Sequence, residues 1–225
     1  MEIFIETCGI TASLPFPGNL IIISPMSSPP ERKARPVTFI LLAGGTSRRM
    51  KRDKARLPVS DKPLIQRILG QVEGLFEEIL ISVSPGQRLD FLPFRLIEDE
   101  VEGQGPLGGI LSGLRAAAHD VCLVAACDIP VIRIDFLERM LEEAQDYEIV
   151  VPSPAKGLSE PLLAVYKKSV IPKIEKLLSS SNRQVLALFR LCRTKFVEMA
   201  DPSWLRNLNT PKQYKDYLRL LRPKK

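Results

Sequence analysis

The stretch that decides the fold is residues 37–55, VTFILLAGGTSRRMKRDKA. Residues 37–42 are β-branched, aromatic and apolar, which is typical of a strand buried on both faces of a parallel sheet. Ala43, Gly44 and Gly45 then allow a sharp turn in which no side chain blocks a ligand from reaching backbone N–H groups. The basic residues that follow would repel one another without an anionic partner. The sequence therefore predicts a phosphate-binding loop at the carboxyl end of the first strand.

Two common phosphate-binding motifs are absent from this loop. No Gly-Lys-Ser or Gly-Lys-Thr follows the glycines at the spacing of a P-loop, and the dinucleotide pattern GxGxxG is missing. A glycine turn followed by a solvated basic loop is the alternative interpretation. The order of the elements favours a binding loop, because the motif follows a predicted strand and precedes a predicted helix at residues 63–75.

The composition is that of an ordinary globular protein, with 45% hydrophobic and 26% charged residues in a chain of 225. No apolar run is long enough for a membrane span, and the acidic and polar residues 1–9 do not resemble a secretory signal, so we expect a cytoplasmic protein with no membrane partner. The formal net charge is +6. Because the basic residues fall into separate segments without interleaved aromatic residues, a small polyanionic substrate is favoured over a nucleic acid.

The cysteines and the histidine exclude several other kinds of site. The four cysteines, at positions 8, 122, 127 and 192, form no CxxC pair, which argues against zinc and against a disulfide framework. Cys122 and Cys127 lie in an apolar segment and are predicted to be core residues. The single histidine, His119, lies at a predicted helix end beside Asp120, which favours a surface role over catalysis.

Strand and helix signals alternate along the chain from residue 36 onward. This alternation predicts an α/β fold in which a three-layer, Rossmann-like, mostly parallel sheet carries helices on both faces. Strands are predicted at residues 37–42, 78–83, 94–97, 121–126, 149–151 and 162–166, the last a candidate for antiparallel pairing, and helices at 63–75, 107–118, 134–144, 170–178, 184–191 and 211–221. Residues 1–35 contain five prolines and are predicted to be a disordered or non-native extension before a single domain at residues 36–225.

Asp128 follows the apolar run VCLVAAC at residues 121–127. In open α/β sheets ligands bind at the carboxyl ends of strands. A carboxylate at such an end suits Mg²⁺, which takes oxygen ligands and bridges phosphates. On spacing alone, a turn-forming Asp before Ile129 and Pro130 is equally compatible with the pattern. Asp128 is therefore a candidate Mg²⁺ ligand.

Several motifs together resemble the molybdenum cofactor guanylyltransferase (MobA) family of MobA-like nucleotidyltransferases. Residues 41–68, LLAGGTSRRMKRDKARLPVSDKPLIQRI, are similar to its amino-terminal signature, in which LAGG is followed by Arg-Met and then Lys. Four further motifs follow in the family's order: IEDE at 97–100, GPLGGILSGL at 105–114, CDIP at 127–130 and NLNTPKQY at 207–214. Two departures are Lys51, where the family usually has Gly, and Ser82, where Asn is expected.

The resemblance implies roles for individual residues. Arg48, Lys54 and Asp128 are the implied catalytic residues, with Asp128 as the Mg²⁺ ligand. The implied nucleotide site comprises Leu42, Ala43, Gly44, Gly45, Lys54, Ser82, Asp99, Gly105, Pro106 and Leu107. Asn207 and Asn209 are implied to face the acceptor, together with Pro161 and Arg183. Residues 209–211 also match a helix N-cap followed by Pro in the first turn.

The reaction implied by the resemblance is transfer of GMP from GTP to molybdenum bound by molybdopterin, with Mg²⁺ as cofactor and pyrophosphate as leaving group. The implied partners are GTP, Mo-molybdopterin, and proteins of molybdenum insertion or molybdoenzyme maturation. The nucleotide-binding half would span about residues 36–130 and the acceptor-binding half about 131–225. Two alternatives are CMP transfer to molybdopterin or to another small acceptor, and a non-catalytic regulator that binds nucleotide or RNA.

Overall fold

The computed structural model describes residues 33–44, 53–100 and 103–221. The strands in these ranges are Arg35–Leu42 (β1), Pro58–Val59 (β2), Lys62–Pro63 (β3), Phe76–Val83 (β4), Arg95–Glu98 (β5), Val121–Ala126 (β6), Ile149–Ser153 (β7), Leu163–Lys167 (β8) and Thr194–Glu198 (β9). The α-helices are Leu64–Val72 (α1), Gly105–Ala116 (α2), Ile134–Glu143 (α3), Ile171–Ser179 (α4), Val185–Leu188 (α5) and Pro211–Leu220 (α6). A 3₁₀ turn, Lys168–Val170, leads into α4.

Seven of the strands form one sheet in the order β5-β4-β1-β6-β8-β7-β9. β8 pairs antiparallel with β6 and β7, and the other neighbours pair in parallel. Leu42, the last residue of β1, lies opposite Ser82 of β4 and Ala126 of β6. The carboxyl ends of β1, β4, β5 and β6 therefore meet at one end of the sheet, together with the start of the antiparallel β8. This end is called the carboxyl end below.

Helices cover both faces of the sheet. Successive residues of a strand point to opposite faces: in β1, Phe39 and Leu41 belong to one buried cluster, and Ile40 and Leu42 to the other. Helices α1, α3 and α6 pack in the first cluster, and α2, α4 and α5 in the second. The predicted three-layer α/β architecture with a mostly parallel sheet is confirmed.

The first helix shows why the sequence encodes these layers. Leu64, Ile65, Ile68, Leu69 and Val72 of α1 are all buried, which is the spacing of one helical face. The helix was expected to extend to residue 75 but ends at Val72. It ends there because Gly74 takes a positive φ of 74° and turns the chain directly into β4.

Some elements differ from the sequence expectation. The β2–β3 hairpin and β9 were not predicted, because two-residue strands show no periodicity and the edge strand β9, TKFVE, carries mostly half-exposed or exposed residues. Helix α2 begins at Gly105, two residues before its predicted start, and α5 is a single turn. The predicted extension, apart from residues 33–35, lies outside the described residues.

The predicted roles of Cys122, Cys127 and His119 agree with their positions. Cys122 and Cys127 are buried, and burial raises the pKa of each thiol to about 12. His119 lies at the opposite end of the sheet from the carboxyl end, just before β6, with Nε2 3.5 Å from Glu77 Oε2. In the portions of the chain described above, no helix combines the length and the apolar character needed to cross a membrane.

Candidate functional site

Three segments that are distant in the sequence meet at Lys54, at the carboxyl end of the sheet. Lys54 Nζ donates hydrogen bonds to Asp128 Oδ2 at 2.9 Å and to Asn209 Oδ1 at 2.7 Å. The Lys54 and Asp128 side chains are only 16% and 15% exposed, so solvent screens their attraction less than that of a surface pair. The structure thus brings together two of the predicted catalytic residues and one predicted acceptor residue.

Backbone hydrogen bonds fix the position of Asp128. The Cys127 N–H donates to the Leu42 carbonyl at 3.0 Å, which ties the end of β6 to the end of β1. The Leu208 N–H donates to the Asp128 carbonyl at 2.7 Å, which ties the same point to the chain segment before α6. Asp128 therefore lies between the end of the first strand and the segment that carries Asn209, as expected for a shared site.

One carboxylate oxygen of Asp128 has no hydrogen-bond partner among the described residues. This atom, Oδ1, is buried, and a buried polar atom without a partner is costly. A divalent cation would satisfy it, because Mg²⁺ prefers oxygen ligands and is usually held by one or two carboxylates together with substrate phosphates and water. Within the described ranges no three His, Cys, Asp or Glu side chains group together as a metal site. The donor set around Asp128 fits Mg²⁺ bound jointly with a phosphate.

Glu160 holds the segment before α6 at a second point. Asn207 Nδ2 donates to Glu160 Oε2 at 3.0 Å, and the Leu162 N–H donates to Glu160 Oε1 at 3.2 Å. Burial raises the pKa of the Glu160 carboxyl above its usual value. The resemblance implied that Pro161 and its neighbours face the substrate, but it assigned no role to Glu160 itself.

The alternative interpretation of residues 209–211 as a helix cap also agrees with the structure. Thr210 is the N-cap of α6, and its Oγ1 accepts a hydrogen bond from the Gln213 N–H at 3.2 Å. Pro211 occupies the first turn. The Asn209 N–H donates to Gln213 Oε1 at 2.9 Å, so the cap fixes the backbone of Asn209 while its side chain contacts Lys54. The other residue expected on the acceptor side, Arg183, is exposed and follows α4.

Ser82 and Asp99 form a polar pair at the carboxyl ends of β4 and β5. The end of β1 lies between this pair and Asp128, which follows β6. Ser82 Oγ donates to Asp99 Oδ1 at 2.8 Å. Burial raises the pKa of Asp99, and the bond from Ser82 partly offsets this rise. A Cβ on Gly109 would lie 2.7 Å from Ser82 Oγ, so only glycine allows α2 to approach the pair this closely. Two of the sequence motifs, IEDE and GPLGGILSGL, therefore meet beside Ser82.

The first turn of α2 faces the carboxyl end of the sheet. Gly105 has a φ of 64°, and Pro106 follows it in the first turn. The free N–H groups of a helix amino terminus favour anions. The Leu107 side chain is fully buried in the core, so a contact between Leu107 and a nucleotide would have to use its backbone.

The start of the glycine loop differs in detail from the predicted phosphate cradle. The N–H groups of Ala43 and Gly44 both donate to the Ser82 carbonyl, at 2.8 and 3.1 Å. These two donors are therefore engaged within the protein. A Cβ on Gly44 would lie 2.9 Å from the Ser84 nitrogen, so Gly44 is required for close backbone packing. The predicted positions Gly45 and Arg48 lie outside the described residues.

Comparison with known proteins identifies the family. The profile of the MobA-like NTP transferase domain matches residues 39–195. The chain belongs to this family. It is 38% identical over 160 residues to a probable molybdenum cofactor guanylyltransferase from Pelotomaculum thermopropionicum, covering 71% of this chain and 78% of that protein. It is 36% identical over 189 residues to a protein of the same name from Clostridium perfringens, covering 80% and 94%.

A solved structure shows the same fold. The molybdopterin-guanine dinucleotide biosynthesis protein A from Archaeoglobus fulgidus superimposes with a TM-score of 0.71 at 22% identity, covering 81% of this chain and 97% of that one. The family resemblance predicted from the motifs is confirmed. This member of the MobA-like family is a nucleotidyltransferase, and the names of its relatives place their activity in molybdenum cofactor biosynthesis.

Proposed function

We propose that this nucleotidyltransferase transfers GMP from GTP to molybdenum-bound molybdopterin and releases pyrophosphate. One observation carries the proposal: the Lys54 ammonium lies 2.9 Å from Asp128 at the carboxyl end of the sheet, beside a buried Asp128 oxygen that lacks a partner among the described residues. The activity named for relatives at 36% and 38% identity supports the choice of guanine and of the molybdenum cofactor.

In the proposed reaction an oxygen of the acceptor phosphate attacks the α-phosphorus of GTP. The new P–O bond forms in line with the α–β bridging oxygen, which leaves with pyrophosphate. No covalent intermediate with the protein is needed. Lys54 would offset the negative charge of the two anions as they meet, and its bonds to Asp128 and Asn209 would limit the range of positions that its ammonium can take. Arg48 is proposed to hold a phosphate through two parallel hydrogen bonds.

Mg²⁺ is the proposed cofactor, with Asp128 as its protein ligand. When bound, it would supply positive charge against the triphosphate. Asp99 is proposed to contact the nucleoside with the carboxylate oxygen that Ser82 does not occupy. The acceptor would lie toward Asn207 and Asn209, because Asn209 is bonded to Lys54 and Asn207 to Glu160, just before β8. The expected partner proteins and the cytoplasmic location remain predictions.

Calorimetry with GTP and CTP, each with and without Mg²⁺, tests the nucleotide assignment. We expect the wild-type protein to bind GTP more tightly than CTP, and Mg²⁺ to strengthen the binding. Asp128→Asn should remove the Mg²⁺ dependence and lower GMP transfer to Mo-molybdopterin by at least about a hundredfold. Asp135→Asn is the matched control, because it removes one exposed carboxylate from the first turn of α3.

Other outcomes would favour the alternatives. Tighter binding of CTP would support cytidylyl transfer. Tight binding of RNA that weakens steeply with salt, without transfer activity, would support a nucleic-acid-binding regulator. An Asp128→Asn protein that transfers GMP at the wild-type rate with Mg²⁺ would refute the metal assignment.

A further inference from the structure

A tight turn after β4 lies against the glycine loop. Ser84, Pro85, Gly86 and Gln87 form this turn, in which the Gln87 N–H donates to the Ser84 carbonyl at 3.0 Å and Gly86 has a φ of 73°. Proline at the second position and a glycine of positive φ at the third are the signature of a type II turn. The turn approaches Gly44 so closely that a Cβ there would lie 2.9 Å from the Ser84 nitrogen.

The Gln87 side chain makes three hydrogen bonds at this point. Its Oε1 accepts from the Ser84 N–H at 3.1 Å. Its Nε2 donates to the Ala43 carbonyl and to Asp53 Oδ2, both at 3.2 Å. A glutamine amide has two N–H donors, and here one is given to each end of the glycine loop.

Asp53, the residue before Lys54, connects Gln87 to the Lys54 site. While Oδ2 of Asp53 accepts from Gln87, Oδ1 accepts from the Ala55 N–H at 2.9 Å. Both oxygens of the carboxylate are therefore held, one by the residue after Lys54 and one by Gln87. Lys54 is the next residue, so its backbone is held on the side of Asp53 while its ammonium bonds to Asp128 and Asn209.

We propose that Gln87 is a positioning residue that fixes both ends of the glycine loop and thereby places Lys54 for the triphosphate. The inference rests on the proposed function of the Lys54 site. Gln87 acts before the substrate arrives: when the residues that flank Lys54 are already held, less conformational entropy is lost as Lys54 meets the triphosphate.

The test compares Gln87→Met with Thr38→Val. Gln87→Met keeps a side chain of similar length but removes all three hydrogen bonds. Thr38 is the matched control because it is buried in the first half of β1, where Oγ1 donates to Glu78 Oε2 at 2.6 Å and accepts from the His119 N–H at 3.3 Å. Both substitutions remove buried or part-buried hydrogen bonds, but only Gln87→Met removes the bonds to Ala43 and Asp53.

We expect Gln87→Met to raise the dissociation constant for MgGTP about tenfold, equivalent to about 1.4 kcal/mol, and Thr38→Val to leave it unchanged. Amide hydrogen exchange in residues 53–57 of the free protein should be faster in Gln87→Met and unaltered in Thr38→Val. A rise in the dissociation constant that is the same in both variants, or exchange unchanged in both, would overturn the proposal.

A charge-neutral pair of substitutions provides a rescue test. Gln87→Glu places a second carboxylate against Asp53, where repulsion should weaken MgGTP binding by more than tenfold. Adding Asp53→Asn gives the glutamate an amide donor and restores the net charge, so the double variant should recover most of the lost affinity. Failure of Asp53→Asn to recover any affinity would contradict a direct contact between residues 53 and 87.

The two hypotheses fail in different ways. A wild-type protein that does not bind MgGTP would refute the proposed function, and the exchange comparison would still decide whether Gln87 holds residues 53–57. A wild-type protein that binds MgGTP, with a Gln87→Met variant that binds it equally well, would refute only the role of Gln87.

Discussion

The Lys54–Asp128 pair gives the most direct test of the assembled site, through a double-mutant cycle on the free protein. Lys54→Met removes the ammonium and keeps most of the aliphatic stem. Asp128 Oδ2 then loses the bond from Nζ, and Oδ1 already lacks a partner among the residues described. Asp128→Asn is milder, because the asparagine oxygen can still accept from Lys54, which also keeps its bond to Asn209.

The burial of the pair sets the expected magnitude. Exposed ion pairs contribute about 0–1 kcal/mol, and removing one partner of a fully buried pair costs about 3–5 kcal/mol. With side chains 16% and 15% exposed, this pair lies between the two limits. We expect Lys54→Met to lower the free energy of unfolding by about 2 kcal/mol, Asp128→Asn by about 1, and the double variant by about 1.5, which gives a coupling energy of about 1.5 kcal/mol.

Urea unfolding without nucleotide or metal measures the four free energies. The single tryptophan, Trp204, contacts the Phe136 ring edge-on at a centroid distance of 5.7 Å, so its fluorescence reports on packing near α3. Far-UV circular dichroism should give the same midpoints, and equal m-values would show that the same surface unfolds in each variant. Single effects that add to within about 0.5 kcal/mol would refute the interaction, because only independent sites are additive.

Two further predictions concern α2 and a salt bridge distant from the site. Gly109→Ala would place a Cβ 2.7 Å from Ser82 Oγ, and Gly113→Ala in the same helix would place one 2.7 Å from an Ile40 methyl group. Both substitutions should lower the free energy of unfolding by about 1 kcal/mol, but only Gly109→Ala should weaken GTP binding in calorimetry. Equal losses of GTP affinity in the two variants would contradict the placement of the nucleotide beside Ser82. The hydrogen bond from Lys173 holds the pKa of Glu148 below its usual 4.5, so its stabilisation is present above pH 4.5 and is lost as the pH falls through the lowered pKa. Glu148→Gln should therefore be less stable by about 1–2 kcal/mol at pH 7. Its thermal midpoints should converge with those of the wild type as the pH falls from 4.5 through the lowered pKa. A difference independent of pH would show that the charge is not responsible.

The layered architecture could be predicted because periodicity encodes burial. The continuous apolar run of β1 and the helical spacing in α1 each indicate one structure only. β9 was missed because an edge strand contacts the sheet on one side only, and its half-exposed pattern contains few apolar residues. Element ends set by a single glycine, as at Gly74, also depend on backbone geometry that a periodic pattern does not show.

The candidate site was predictable to the extent that strand ends locate it. Asp128 was a candidate because it ends an apolar strand, and the resemblance of CDIP to the family motif favoured it over a turn-forming Asp; the structure places it beside Lys54. The contact between Lys54 and Asn209 joins residues 155 positions apart, and no local pattern records such a pairing. Gln87 and Glu160 were not assigned roles for a related reason: a polar residue between two elements has the same sequence appearance whether it faces solvent or a neighbouring segment.

The division into a nucleotide-binding half and an acceptor-binding half does not correspond to two folding units. β6, before residue 130, pairs directly with β8, after it, and each face of the sheet is covered by helices from both halves. Lys54 belongs to the first half, and its ammonium is held by Asp128 and by Asn209 of the second. Asp128 belongs to the same half as Lys54, so the first half alone would keep one of the two bonds of the ammonium and lose the one to Asn209. The site is therefore a property of the whole domain, and a chain that ends before Asn209 should lose affinity for the triphosphate even if the sheet still forms.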